Sequence, residues 1–168
     1  NINCKLALPD SESIRITRSK KKTIQLLKNK IRTPIIFNSF NEISKYPVFV
    51  KPDSAYGSQG IKIINDKNEL ILFFENKNIN DYIIQTFLPG DEYSVDCFSD
   101  KNEVLFCGPR SRQRIRMGTS MHSENVDGEK YNEIRNIANE IQKILKIEGA
   151  WFFQLKEDSE CKLNLLEI

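Results

Sequence analysis

The sequence predicts an α+β protein built as two lobes, and three observations carry that reading. Through residue 88, short apolar runs rich in β-branched residues alternate with stretches opened by helix-capping residues. From Glu92 onward the order changes to an antiparallel strand pair, one long amphipathic helix and two closing strands. Pro89-Gly90, a turn pair, stands near the hinge between the two halves.

The elements follow in order. Ser19 precedes a helical stretch whose apolar residues Ile24, Leu27 and Ile31 recur at spacings of three and four, and Pro34 enforces its end. Residues 34–37 read as a short strand. Ser39 with Glu42, and Asp66 with Glu69, have capping-box spacing, which marks a short helix before Tyr46 and another through Leu70 to Glu75. Between them residues 47–50 and 61–64 are apolar, β-branched and short, hence strands, and residues 82–88 form a third that ends at Pro89-Gly90. Residues 93–99 and 104–109 pair antiparallel across a turn at Asp100-Lys101-Asn102. Ile134, Ile137, Ala138, Ile141 and Leu145 line one face of the long helix, with Gly149 just past its end. Residues 151–155 and 163–168 are the last two strands, joined by the polar residues 157–160.

Composition narrows the function classes. A chain of 168 residues with net charge +2 has a core to bury and no bulk field that argues for a nucleic acid or membrane partner. No apolar run approaches the roughly 18 residues of a membrane span, and no secretory leader opens the sequence, so a cytoplasmic location is expected. The single histidine, His122, removes multi-histidine metal sites and reads as a surface loop residue within a mobile segment, 118–122. Cys4, Cys97, Cys107 and Cys161 are too far apart for zinc spacing and read as buried, reduced thiols. The opening without Met and the apolar closing run 163–168 read as a piece cut from a longer protein.

Four features carry chemistry. Lys51 stands at the exit of a buried strand, before a loop holding Gly57, Ser58 and Gly60; glycines admit phosphate oxygens to backbone N–H groups, and a lysine there adds fixed positive charge. The same residues also fit a solvent-facing lysine before an ordinary hairpin loop. Gln85 to Glu92 offers backbone groups and an apolar bed to a flat base, with a carboxylate for ribose hydroxyls, or else a solvated acidic turn. Gln154 and Glu167, on adjacent final strands, supply hard oxygen ligands suited to phosphate-bridged Mg²⁺, or are two exposed polar residues. Arg110, Arg112, Arg114 and Arg116 at period two share one face if extended, and four like charges there call for an anion: phosphate, a carboxylate substrate or nucleic acid, unless the strand is merely solvated.

Taken in order, these features resemble the ATP-grasp superfamily, most closely relatives of the carbamoyl-phosphate synthetase large subunit, from about Ser19 to Ile168. The resemblance implies two α/β lobes, 19–88 and 89–168, with the nucleotide cleft between them, the second truncated at its end and residues 1–18 the tail of a preceding domain. It implies ATP and Mg²⁺, with Mn²⁺ as an alternative. Lys51 would contact the α/β-phosphates, Lys20 would be a second phosphate contact, and Gly57, Ser58 and Gly60 would close over the triphosphate. Gln85 would sit near the adenine on the Gln85-Thr86-Phe87-Leu88 strand, with Thr86 and Leu88 giving backbone hydrogen bonds and Glu92 holding the ribose. Gln154 and Glu167 would hold the metal, and Arg114 or Arg116 would stabilise the transferring phosphoryl group. The implied reaction joins a small-molecule carboxylate to an amine or ammonia through an acyl phosphate. The alternative is a non-catalytic polyanion or nucleic-acid binding module that uses the 110–116 strand.

Overall fold

The computed structural model describes residues 6–54, 60–116 and 119–168. In chain order it holds α1 (Ser11–Thr17), α2 (Lys20–Leu27), β1 (Ile36–Phe37), β2 (Val48–Pro52), β3 (Lys62–Ile64), α3 (Lys67–Phe74), β4 (Tyr82–Thr86), β5 (Glu92–Ser99), β6 (Val104–Arg116), β7 (Thr119–Asn125), α4 (Gly128–Leu145), β8 (Gly149–Glu157) and β9 (Leu163–Glu167). Single 3-10 turns precede β2 at Phe40–Glu42 and β4 at Ile79–Asp81. The strands form two sheets, β1-β4-β2-β3 and β7-β6-β5-β8-β9. No helix among the described residues is long and apolar enough to cross a membrane.

Strand periodicity decides which face of each sheet is core. In the first sheet Val48, Val50, Ile64 and Ile84 pack with Leu70 of α3. The alternate residues Lys51, Ile83 and Gln85 are also buried, on the opposite face. That face looks at the second lobe, because Lys51 Nζ donates to the Leu166 carbonyl of β9 at 3.2 Å. In the second sheet Val95, Cys97, Cys107, Phe153, Leu155 and Leu165 pack on Ile134, Ala138, Ile141 and Leu145 of α4. Leu27 of α2 and Ile31 join this second core, so α2 packs with the later lobe although it precedes the first sheet in sequence.

Several expectations are corrected. The strand expected to end at residue 109 runs to Arg116, and the loop expected from residue 118 to 122 is β7 from Thr119 onward. Backbone pairing rather than burial holds this hairpin, so apolar alternation does not signal it. The register shifts between Arg112 and Arg114, and again between Arg114 and Ile115, so the four arginines do not keep one face. His122 lies on β7 and is exposed. Strand β1 is only two residues long, Ile31 lies past the end of α2, and α4 ends on Lys146 in the left-handed conformation (φ 48°) rather than on Gly149, which opens β8. Glu42 and Glu69 accept from the amides of Asn38 and Asn65, one position before the expected capping-box partner. Helix α1, unanticipated because seven residues hold too little periodicity, is capped by Asp10 and docks Ser13 Oγ on the Leu145 carbonyl at 2.8 Å. Cys97 and Cys107 are buried and face each other across β5 and β6, whereas Cys161 is exposed in the turn before β9; Cys4 lies outside the described residues.

Candidate functional site

Four elements bring the charged residues together between the lobes. Strand β2 carries Lys51, only 5% exposed, which excludes a solvent-facing lysine. Burial pulls its pKa down to about 8, with Glu167 the largest counteracting charge and Lys20 adding to the depression. The first turn of α2 carries Lys20, whose Nζ lies 3.3 Å from Glu167 Oε2 of β9. Strands β8 and β9 pair Gln154 directly opposite Glu167, as cross-strand neighbours on one face. Two lysines and two oxygen-bearing side chains thus converge from four separate elements.

The residues that the resemblance assigns to the base lie on β4 and just past its end. Gln85 is 2% exposed, and its Oε1 has no hydrogen-bond partner among the described residues, a costly state for a buried acceptor unless a ligand donates to it. Thr86 donates its amide to the Ile35 carbonyl at 3.0 Å and accepts from the Ile35 amide at Oγ1. Leu88 is buried and Phe87 half-buried. Gly60 has φ +72° and packs against Pro52, so its lack of a Cβ is used there. Gly57 and Ser58 lie outside the described residues.

Glu92, at the start of β5, is not a solvated turn residue. It ion-pairs Arg112 of β6, and Lys156 of β8 approaches its other oxygen at 3.4 Å. Arg110 pairs Asp96 on the same sheet face. Arg114 and Arg116, which the resemblance assigns to a phosphoryl group, lie beyond the bulge on the exposed end of the hairpin. Lys156 and Asp53 are not singled out by the sequence reading. Period two already placed Arg112 in the arginine series, but nothing in the sequence marks Glu92 as its partner.

The donor set fits a phosphate-bridged divalent cation rather than a protein-only cage. No group of three or more His, Cys, Asp or Glu side chains among the described residues could hold a metal by itself. Mg²⁺ keeps waters and phosphate oxygens and takes about one or two protein oxygens, which Glu167 and Gln154 can supply. Lys20 Nζ pairs with Oε2 of Glu167, the carboxylate that a cation would need.

The ATP-grasp domain family matches this chain over residues 17–151. The carbamoyl phosphate synthase large chain of Clostridium botulinum is 29% identical over 133 residues, 73% of this chain and 12% of that protein. The homologous chain of Clostridium beijerinckii is 28% identical over 134 residues, again 12% of its length, so the chain spans about one eighth of these relatives. Among solved structures, biotin carboxylase of Campylobacter jejuni in complex with β,γ-ATP superposes with a TM-score of 0.81 at 16% identity, covering 95% of this chain and 42% of that one. D-alanine–D-alanine ligase of Bacillus anthracis complexed with ATP gives 0.74 at 20% identity, covering 96% of this chain and 57% of that one. The biotin carboxylase domain of the Hydrogenobacter thermophilus 2-oxoglutarate carboxylase, bound to MgADP, gives 0.79 at 17% identity over 95% of this chain and 41% of that one. These likenesses extend the two-lobed α+β architecture to the whole described chain.

Proposed function

The chain belongs to the ATP-grasp family, and on that premise we propose that it binds Mg·ATP between its lobes as the nucleotide-binding part of an ATP-dependent ligase. The observation that carries the reading is Lys51, a cation kept 5% exposed between two sheets with its Nζ directed at β9. Burying an ammonium is costly, and an anion in the cleft offsets that cost. In this reading Lys51 and Lys20 contact the phosphates, and Gly57, Ser58 and Gly60 cover them. Gln85 Oε1 accepts from the base amino group. Phe87 and Leu88 bed the ring, Thr86 contributes its carbonyl because its amide is committed to Ile35, and Leu88 contributes its backbone. Glu92 holds the ribose.

Gln154 and Glu167 hold Mg²⁺ or Mn²⁺, which neutralises phosphate charge when bound. Arg114 or Arg116 meets the transferring phosphoryl group from the hairpin end. The reaction class is the joining of a small-molecule carboxylate to an amine or ammonia through an acyl phosphate, in which the protein positions and neutralises.

Thermal unfolding with and without Mg·ATP tests the binding. Nucleotide at about 100 times Kd adds about 2.7 kcal/mol to the native state. Lys51→Ala and Glu92→Ala are expected to reduce the shift while the chain still unfolds cooperatively. No shift at millimolar Mg·ATP overturns the reading.

A further inference from the structure

We infer that Asp53 is a positioning residue that holds Lys20 and Lys51 in register toward the phosphate end of the cleft, an inference that rests on the nucleotide-binding reading above. Asp53 lies two residues beyond Lys51, just past the end of β2. Its Oδ1 accepts from the Lys21 amide at 2.7 Å, and its Oδ2 accepts from Ser19 Oγ at 2.7 Å. The Asp53 carbonyl accepts from the Lys20 amide at 3.3 Å, and the Asp53 amide donates to the Asp81 carbonyl, immediately before β4, at 2.8 Å. One residue therefore ties together the strand that carries Lys51, the helix turn that carries Lys20 and the entry to the strand that carries Gln85.

The tie is more than a local helix cap. Ser19 already caps α2 by accepting from the Lys22 amide at 3.2 Å. A carboxylate brought from 34 residues away satisfies a further orphan amide and complements the positive end of the helix. Its second effect is geometric. Lys20 Nζ must reach 3.3 Å from Glu167 while Lys51 Nζ reaches the next carbonyl, Leu166, so the two ammonium groups meet neighbouring positions of β9. The rest of α2 is anchored independently through buried Thr23, Ile24 and Leu27, so loss of Asp53 frees the first turn without removing the helix.

The test compares the full chain with Asp53→Ala, Asp53→Asn, Ser19→Ala, Lys20→Ala and the Asp53→Ala/Lys20→Ala double variant. Mg·ATP and adenosine are each titrated by calorimetry or ligand-observed NMR. Positioning predicts that Asp53→Ala weakens Mg·ATP about tenfold while adenosine affinity stays within about twofold. Lys20→Ala then costs little more in the Asp53→Ala background, because the two act through one contact. Asp53→Asn retains an acceptor for the Lys21 amide and restores most of the affinity. Ser19→Ala, which removes the bond to Asp53 and the cap on the Lys22 amide but leaves Asp53 on the Lys21 amide, shows the same selectivity at a smaller loss and carries the test if Asp53→Ala does not fold. Equal losses for adenosine and Mg·ATP, fully multiplicative losses in the double variant, or unchanged Mg·ATP binding would overturn the inference while leaving the binding reading intact. A wild-type chain that binds no Mg·ATP overturns both.

Discussion

At the scale of the residue, Lys51 sets stability against function. Its pKa is lowered to about 8 from 10.5, so between those pH values the unfolded chain holds a proton that the folded chain lacks, and stability rises with pH. Below about pH 8 both states are charged, and the folded one bears the whole cost of burial, on the order of 3 kcal/mol at about 1.4 kcal/mol per unit. Lys51→Met removes that cost and forfeits one hydrogen bond to Leu166, roughly 1 kcal/mol. The variant is therefore expected to be more stable than wild type by about 1–2 kcal/mol at pH 7, with the gain shrinking as pH is raised toward 10, while Mg·ATP affinity falls. Urea denaturation at pH 7 and pH 9.5 checks the sign. A destabilised Lys51→Met chain at pH 7 would mean that the ammonium is already well compensated without a ligand.

At the scale of the element, the junction between β4 and β5 depends on a missing side chain. The Gly90 amide donates to the Glu157 carbonyl at 3.1 Å, and the Glu157 amide returns to Asp91 at 2.9 Å. A Cβ at Gly90 would stand 2.6 Å from Glu157 Cβ and 3.0 Å from its carbonyl oxygen, so Gly90→Ala pushes the end of β8 away from β5. The displaced pair is Glu92 with Lys156, so the variant is expected to lose about 1–3 kcal/mol of stability and to weaken Mg·ATP binding. Chemical denaturation and nucleotide titration check the two losses separately. A change in stability alone would show that Glu92 keeps its place without the junction.

The same scale explains what the sequence could reveal. Strands β2, β4 and β5 were legible because half or more of their residues are buried and most of those are apolar, and with them came Lys51, Gln85 and Glu92. The hairpin β6–β7 was not, because its outer half is polar on both faces and its bulges break the period on which the arginine series was read. Pairings such as Glu92 with Arg112, or Asp53 with Ser19, join residues 20 and 34 positions apart, and no local pattern encodes them.

At the scale of the whole molecule, the distribution of charge separates the nucleotide cleft from a polyanion surface. Net charge is only +2, and the arginine strand that could attract a nucleic acid is half neutralised, with Arg110 on Asp96 and Arg112 on Glu92. Arg114 and Arg116 remain at the exposed end of the hairpin. Counterion release makes the salt dependence of binding a count of the cations that reach phosphates, about 0.9 per contact on duplex DNA. If the hairpin offers two arginines, the log–log slope of any duplex binding stays near −1.8; if the ion pairs open and all four engage, it approaches −3.6. The expected outcome is the shallow slope with affinity too weak to matter at physiological salt, and fluorescence anisotropy across 50–200 mM salt, repeated with Arg114→Ser/Arg116→Ser, measures it. A slope near −3.6 in the wild-type chain that falls only to about −1.8 in the double variant would place a polyanion on Arg110 and Arg112. It would break the contact that holds Glu92 at the cleft, and it would favour the nucleic-acid reading over the ligase-like one.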